Sequence, residues 1–203
     1  MGADNTDTPG NYATRKNRGL NVFANYIIYS LFSSFLLFSP VKLTAQNDSQ
    51  NLEYKIKAAY LYNFTKFIIW PEELFISTQK TTFNICILEY NPFGHALELL
   101  GHKMVNGLKL VTEISESAVE LDHCQIVYFP RSMEKKYVVI INQLAKKNIL
   151  TVSDIVGFVN NGGHIGLDTI KGKVRFDINL AATKSCGLKI SAKLLELAMT
   201  VIE

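Results

Sequence analysis

The stretch Val174–Leu180 places Arg175, Asp177 and Asn179 at alternate positions, with Cys186 a few residues further on. Residues two apart on a strand share a face. These three therefore form a catalytic strip, a recognition surface, or the polar back of a strand that only closes a core. Nucleophilic catalysis needs a serine or cysteine served by a base and an oxyanion donor. The chain has no GxSxG elbow. Ser153 and Ser132 stand where helices begin and read as caps. Asp168 and Asp177 lie on the two limbs of one hairpin, and Glu72-Glu73 lies in a loop, so no acid–base pair assembles from spacing.

Metal and cofactor chemistry are equally undersupplied. His95 and His102 are seven residues apart rather than the four of an HExxH helix, and read as solvated. His123 adjoins Cys124, but strand neighbours point to opposite faces. The three cysteines, Cys86, Cys124 and Cys186, have no CxxC or finger spacing, and the sequence gives no zinc site. Asn160-Asn161-Gly162-Gly163 is glycine-rich, yet it follows a helix and precedes a strand, the reverse of a phosphate loop. The expectation is a protein with no cofactor and no enzymatic activity.

The elements that would position these residues alternate. Glu53–Phe67 reads as an amphipathic helix with Ile56, Ala59, Tyr60, Phe64 and Phe67 on its inward stripe and Lys55, Lys57 and Lys66 turned away, stopped by Pro71. Short apolar strands follow at Phe83–Leu88, Leu108–Val111, Cys124–Phe129 and Ile149–Val152. Between them lie helical segments at 92–101, 115–121 and 132–147, with another begun by Ser153 or Asp154 as a cap. Thr169–Gly172 turns a final antiparallel hairpin, and Ile190, Leu194, Leu197, Ala198 and Val201 recur at helical spacing. The fold class is α/β: a single-domain sandwich with a mainly parallel central sheet, helices on both faces, and a C-terminal antiparallel hairpin plus helix.

The 203 residues are 48% hydrophobic, enough for one real core, with a net charge of +3. Arg15, Lys16 and Arg18 precede an uncharged run from Gly19 to Val41, and Ala45 offers a cleavage site. Residues 1–45 read as a secretory signal, with an uncleaved anchor as the alternative, residues 46–52 as a flexible N-terminus and 53–203 as the domain. Without the leader the domain is nearly neutral, which argues against nonspecific nucleic-acid binding. Outside the cytoplasm one cysteine pair is expected to oxidise.

The segments Lys57–Pro71, Phe83–Gly94, Cys124–Ser132, Ile149–Leu167 and Val174–Ala198, in this order, resemble the successive motifs of the YfiR-like periplasmic proteins. The resemblance implies a periplasmic regulator, often dimeric, that binds the periplasmic part of an inner-membrane signalling protein. That partner is foremost a diguanylate cyclase, which the regulator represses, lowering cyclic-di-GMP signalling. A small-molecule receptor feeding another membrane system, such as a hybrid kinase, is the alternative. The resemblance also implies a disulfide between Cys86 and Cys124. The strand order agrees, since the first and third strands of a flavodoxin-like sheet are neighbours. Such a bridge stabilises by about 4 kcal/mol in the chain-entropy model. Cys186 is then the odd thiol, either buried or paired between subunits. The expected recognition surface comprises Arg175, Asp177 and Asn179 with the aromatic edge at Trp70.

Overall fold

A computed structural model of the chain describes Gly2 and residues 43–76, 80–117 and 119–203. It divides into two units, Met1–Thr44 and Ala45–Glu203, and the fold is that of the second. The basic stretch and apolar run read as a leader lie outside the described residues.

Helix α1 (Leu43–Phe67) runs without glycine or proline until the chain reaches Pro71. Residues 46–52, expected to be flexible, are its first turns. Its inward stripe is Lys57, Ala58, Leu61, Phe64 and Thr65, continued by Ile68 just past its end, all buried. Ile56, expected inside, is exposed, and Lys57, expected outside, has no exposure. The helix is rotated from its hydrophobic expectation because one buried charge finds its partner there, as described below. After β1 (Ile68–Ile69) and the single turn α2 (Glu73–Ile76), β2 (Thr82–Leu88) enters the sheet.

The sheet continues through β3 (Met104–Val105), β4 (Leu108–Ser115), β5 (Ile126–Phe129), β6 (Leu150–Ser153), β7 (Ile165–Ile170), β8 (Lys173–Asn179) and β10 (Thr200–Ile202). Its eight strands run in the order β10-β8-β7-β6-β5-β2-β4-β3. Neighbours are parallel except at β7–β8 and β3–β4. The flavodoxin-like order is thus present in β4-β2-β5-β6-β7. The β7–β8 hairpin turns on Lys171 (φ 50°) and Gly172 (φ 72°), two successive left-handed residues that suit a tight two-residue turn. In place of the helix expected over 115–121, Ser115 closes β4 and residues 119–120 form a turn.

The α1 face of the sheet packs Phe64 and Tyr60 against Phe176, each with ring centroids 5.6 Å apart, and Trp70 against Phe83 at 5.1 Å. The other face carries α4 (Tyr137–Leu144), whose Tyr137, Ile141 and Leu144 pack with Val127, Phe129 and Phe158. The single turn α3 (His95–Glu98) links β2 to β3.

The C-terminal segment is not one helix. Helix α5 (Leu180–Ser185) ends at Gly187, whose φ of 80° an L side chain resists. Strand β9 (Lys189–Ile190) then pairs antiparallel with β1, forming a separate two-stranded sheet. Ser191 accepts a hydrogen bond from Leu194 N–H and restarts the chain as α6 (Ala192–Leu197). The β-branched Thr200-Val201-Ile202 leaves the helix and adds a parallel strand to β8.

His164 clasps β6 to β7 from within. Its Nδ1 accepts from Thr151 N–H, and Thr151 Oγ1 accepts from His164 N–H, both at 3.0 Å. An acceptor Nδ1 requires a neutral ring, and burial lowers the pKa from 6.5 to about 4. The unfolded chain therefore binds the proton first, so this stabilisation is complete above pH 6.5 and is lost as pH falls from 6.5 towards 4. The loss amounts to ~3 kcal/mol. Replacing His164→Asn keeps an acceptor and removes the titration. The urea midpoint of the variant should fall less steeply than that of the natural chain between pH 6.5 and 4. Parallel pH profiles would refute the assignment.

Candidate functional site

The carboxyl ends of the parallel strands are where open α/β sheets bind ligands. Here β5 ends just before Arg131 and β6 just before Asp154, and the early turns of α1 lie over both, bringing Glu53, Tyr54 and Lys57. Asp154 has no exposed side chain. Its Oδ2 accepts from Lys57 Nζ at 2.7 Å and from Tyr54 Oη at 3.0 Å, with Arg131 Nε at 3.3 Å. Lys57 Nζ also reaches Glu53 Oε1 at 2.5 Å and sits 4.6 Å from the Tyr54 ring centroid. Two cations thus face two carboxylates.

The low-dielectric surroundings show in the neighbours. Burial, reinforced by the Asp154 charge, raises the Tyr54 hydroxyl well above the usual phenol range and does the same to Tyr128. Burial also opposes ionisation of Glu53, but hydrogen bonds from Lys57 and Thr169 outweigh it and leave that carboxyl below its ordinary value. Asp154 Oδ1 and Tyr128 Oη are buried without a hydrogen-bond partner among the described residues.

Lys57 is clamped between the carboxylates of Glu53 and Asp154. The Ser153 hydroxyl donates to Phe129 O and accepts from Ile155 N–H, so both of its capacities serve the turn. Beside the cluster lies a cleft of about 470 Å³ lined by Glu53, Ile56, Arg131, Thr169 and Gly172 among others. The Arg131 side chain is among the residues lining this cleft and is 58% exposed.

The residues singled out from sequence do not form one surface. Val174, Phe176 and Ile178 face the α1 layer, so Arg175, Asp177 and Asn179 lie on the other side of β8. Trp70 is 5% exposed and belongs to the α1 layer. Asn179 caps α5 by accepting from Ala182 N–H, and its Nδ2 donates to Val159 O at 2.8 Å. Arg175 is exposed and opposite Asp168 in register, while Asp177 stands diagonal to Asp168. Burial and the nearby Asp177 charge raise the Asp168 carboxyl.

Cys86 and Cys124 are joined in a disulfide with Cα atoms 6.0 Å apart. Cys186 is buried on the α1 side, where it donates to Thr183 O. His123 and Cys124 precede β5 rather than alternating along it, and His123 Nε2 lies 3.7 Å from Cys124 Sγ. The opposite-face expectation for that pair is therefore corrected. Lys57 and Asp154 are the site residues the sequence reading missed. The available signal was a lysine in register with the Ala58–Leu61–Thr65–Ile68 stripe.

A family model described as DUF4154, YfiR/HmsC-like, matches residues 54–199. No curated protein matches the chain. Among solved structures, one described as "Crystal structure of conserved domain protein from vibrio cholerae o1 biovar eltor str. n16961" is similar at 15% identity and a TM-score of 0.42. The likeness covers 66% of this chain and 60% of that one, so the chain spans less than two thirds of that structure's length.

Breaking a buried ion pair by removing one partner strands the other charge, at a cost of about 3–5 kcal/mol. Lys57→Met should lower stability by that amount in urea denaturation. The double variant Lys57→Met/Asp154→Leu should regain part of the loss. A single-variant loss below ~1 kcal/mol would show that the pair is not desolvated.

Proposed function

The chain belongs to the YfiR/HmsC-like family, and from that premise we propose that it binds the periplasmic part of an inner-membrane signalling protein without turnover. The family is periplasmic, regulatory rather than catalytic, and associated with control of cyclic-di-GMP signalling. No helix among the described residues is long and apolar enough to cross a membrane. The proposed partner is a diguanylate cyclase, which the bound protein holds inactive. The match over residues 54–199 carries this reading. The buried Lys57–Asp154 pair supports it, because these two charges are held by one another rather than presented to a reacting substrate.

Arg175 is the proposed contact residue of the β7–β8 hairpin, being exposed on the face opposite α1. Asn179 and Trp70 serve the fold, the first as a cap and the second as a core ring. The cleft beside Arg131 favours a second reading, a receptor whose ligand carries an anionic group for that guanidinium.

The tagged protein, incubated with solubilised envelope, should retain an identified diguanylate cyclase and lower its turnover after reconstitution. Arg175→Ala should weaken that retention with unchanged thermal stability. Full retention by a less stable variant would assign Arg175 to the fold. Absence of any membrane signalling protein, together with unchanged cellular cyclic-di-GMP when the chain is deleted, would refute the regulatory reading. A ligand-dependent rise in melting temperature that Arg131→Ala abolishes would favour the receptor.

A further inference from the structure

Four side chains that take no part in the ionic cluster meet across β4, β2 and the start of β5. Cys86 on β2 is directly opposite Glu113 on β4, and His123 and Cys124 lead into β5. One ligand atom from each lies within 4.8 Å of every other. Cys86 Sγ stands 3.2 Å from Glu113 Oε1 and 3.9 Å from His123 Nε2, and Cys124 Sγ is 3.7 Å from the same nitrogen. His123 Nε2 also contacts Glu113 Oε1 directly. Zinc bound to sulfur at ~2.3 Å and to nitrogen or oxygen at ~2.1 Å has tetrahedral edges of roughly 3.3–3.8 Å. The separations of the sulfurs from the His123 nitrogen, and of Cys86 Sγ from the Glu113 carboxylate, therefore already approach those of a zinc tetrahedron, whereas His123 and Glu113, now in direct contact, must part to admit the ion.

We propose that reduction of the Cys86–Cys124 bond converts this cluster into a site for one divalent zinc ion, held by Cys86, Cys124, His123 and Glu113. The disulfide and the metal are mutually exclusive, since sulfurs bonded to each other are not thiolate ligands. A dithiol supplies the two electrons: one of its thiolates attacks a cystine sulfur, its second thiol resolves the mixed disulfide, and it leaves as the cyclic disulfide. Cys86 and Cys124 become thiols, and the zinc ion displaces their two protons into solvent. Two thiolates with an imidazole select a borderline-soft cation over magnesium or calcium.

The backbone is braced to survive cleavage of the bond. The His123 carbonyl accepts from Lys80 Nζ at 3.3 Å, Asn84 Nδ2 at 3.2 Å and Gln125 Nε2 at 3.0 Å. Gln125 is fully buried, and its Oε1 accepts from Asn84 N–H at 2.8 Å, which ties the same loop to β2. Both sulfurs are buried, whereas the side chains of His123 and Glu113 are 45% and 36% exposed and give an ion its route in.

The full chain, oxidised or reduced anaerobically with a phosphine, is titrated with zinc against a chromophoric chelator and with cobalt as a spectroscopic probe. The reduced protein should bind one zinc at least about 100-fold more tightly than the oxidised protein, and its cobalt form should show tetrahedral visible bands with thiolate charge transfer. Glu113→Gln and His123→Asn should each weaken zinc binding about 10-fold or more. Cys186 is a free thiol in both redox states, so any signal from it appears in both. If reduction unfolds the chain, zinc should restore its circular dichroism. Equal binding by oxidised protein, unchanged affinity in both variants, or a reduced chain that stays unfolded in excess zinc would overturn the proposal.

Discussion

A lysine with no exposed side chain under the first helix is possible only because a carboxylate meets it there. Lys57 and Asp154 are 97 residues apart in sequence and 2.7 Å apart in space. Desolvating two charges offsets most of their attraction, so the pair contributes little net stability. Its effect is on geometry. Only one rotation of α1 about its axis places Nζ on that carboxylate, and this rotation differs from the one that hydrophobic spacing alone selects. Tyr54 and Arg131 converge on the same oxygen and fix the strand ends beneath. The position of Glu53 and the wall of the neighbouring cleft follow from that setting.

The disulfide provides a second clasp near the other end of β5. The ionic cluster gathers the carboxyl ends of β5 and β6, whereas Cys124 lies just before β5 begins and joins it to the centre of β2. Each clasp links segments that the chain visits far apart, where closure of long loops costs the most entropy. The ionic clasp responds to loss of a charge and the covalent one to reductant.

Local signals carried much of the fold into the sequence. Phe83–Leu88 and Ile149–Val152 are apolar, β-branched runs, and they became interior parallel strands, the second shifted by one residue to Leu150–Ser153. The period-two alternation of Val174–Leu180 and the Lys171-Gly172 turn gave the hairpin directly. The helix expected from Ile190 to Val201 forms only over Ala192–Leu197, because the Ser191 cap starts it late and the β-branched Thr200-Val201-Ile202 tail pairs as a strand. The pairing of Lys57 with Asp154 was not legible for another reason. A buried charge is defined by its partner, and nothing local to "KIKAAY" or "VSDIV" announces that the two will meet. The same holds for Glu113 and His123, whose contact depends on strand register rather than on spacing.

If the Lys57–Asp154 pair fixes the setting of α1, its removal should be felt along the first half of that helix before anywhere else. Amide hydrogen exchange of the natural chain and of Asp154→Asn tests this most directly. The account predicts that amides of residues 53–58 exchange about 10-fold or more faster in the variant while those of residues 61–67 and of β5 keep their protection. Uniform acceleration across the domain, or no change in residues 53–58, would contradict it.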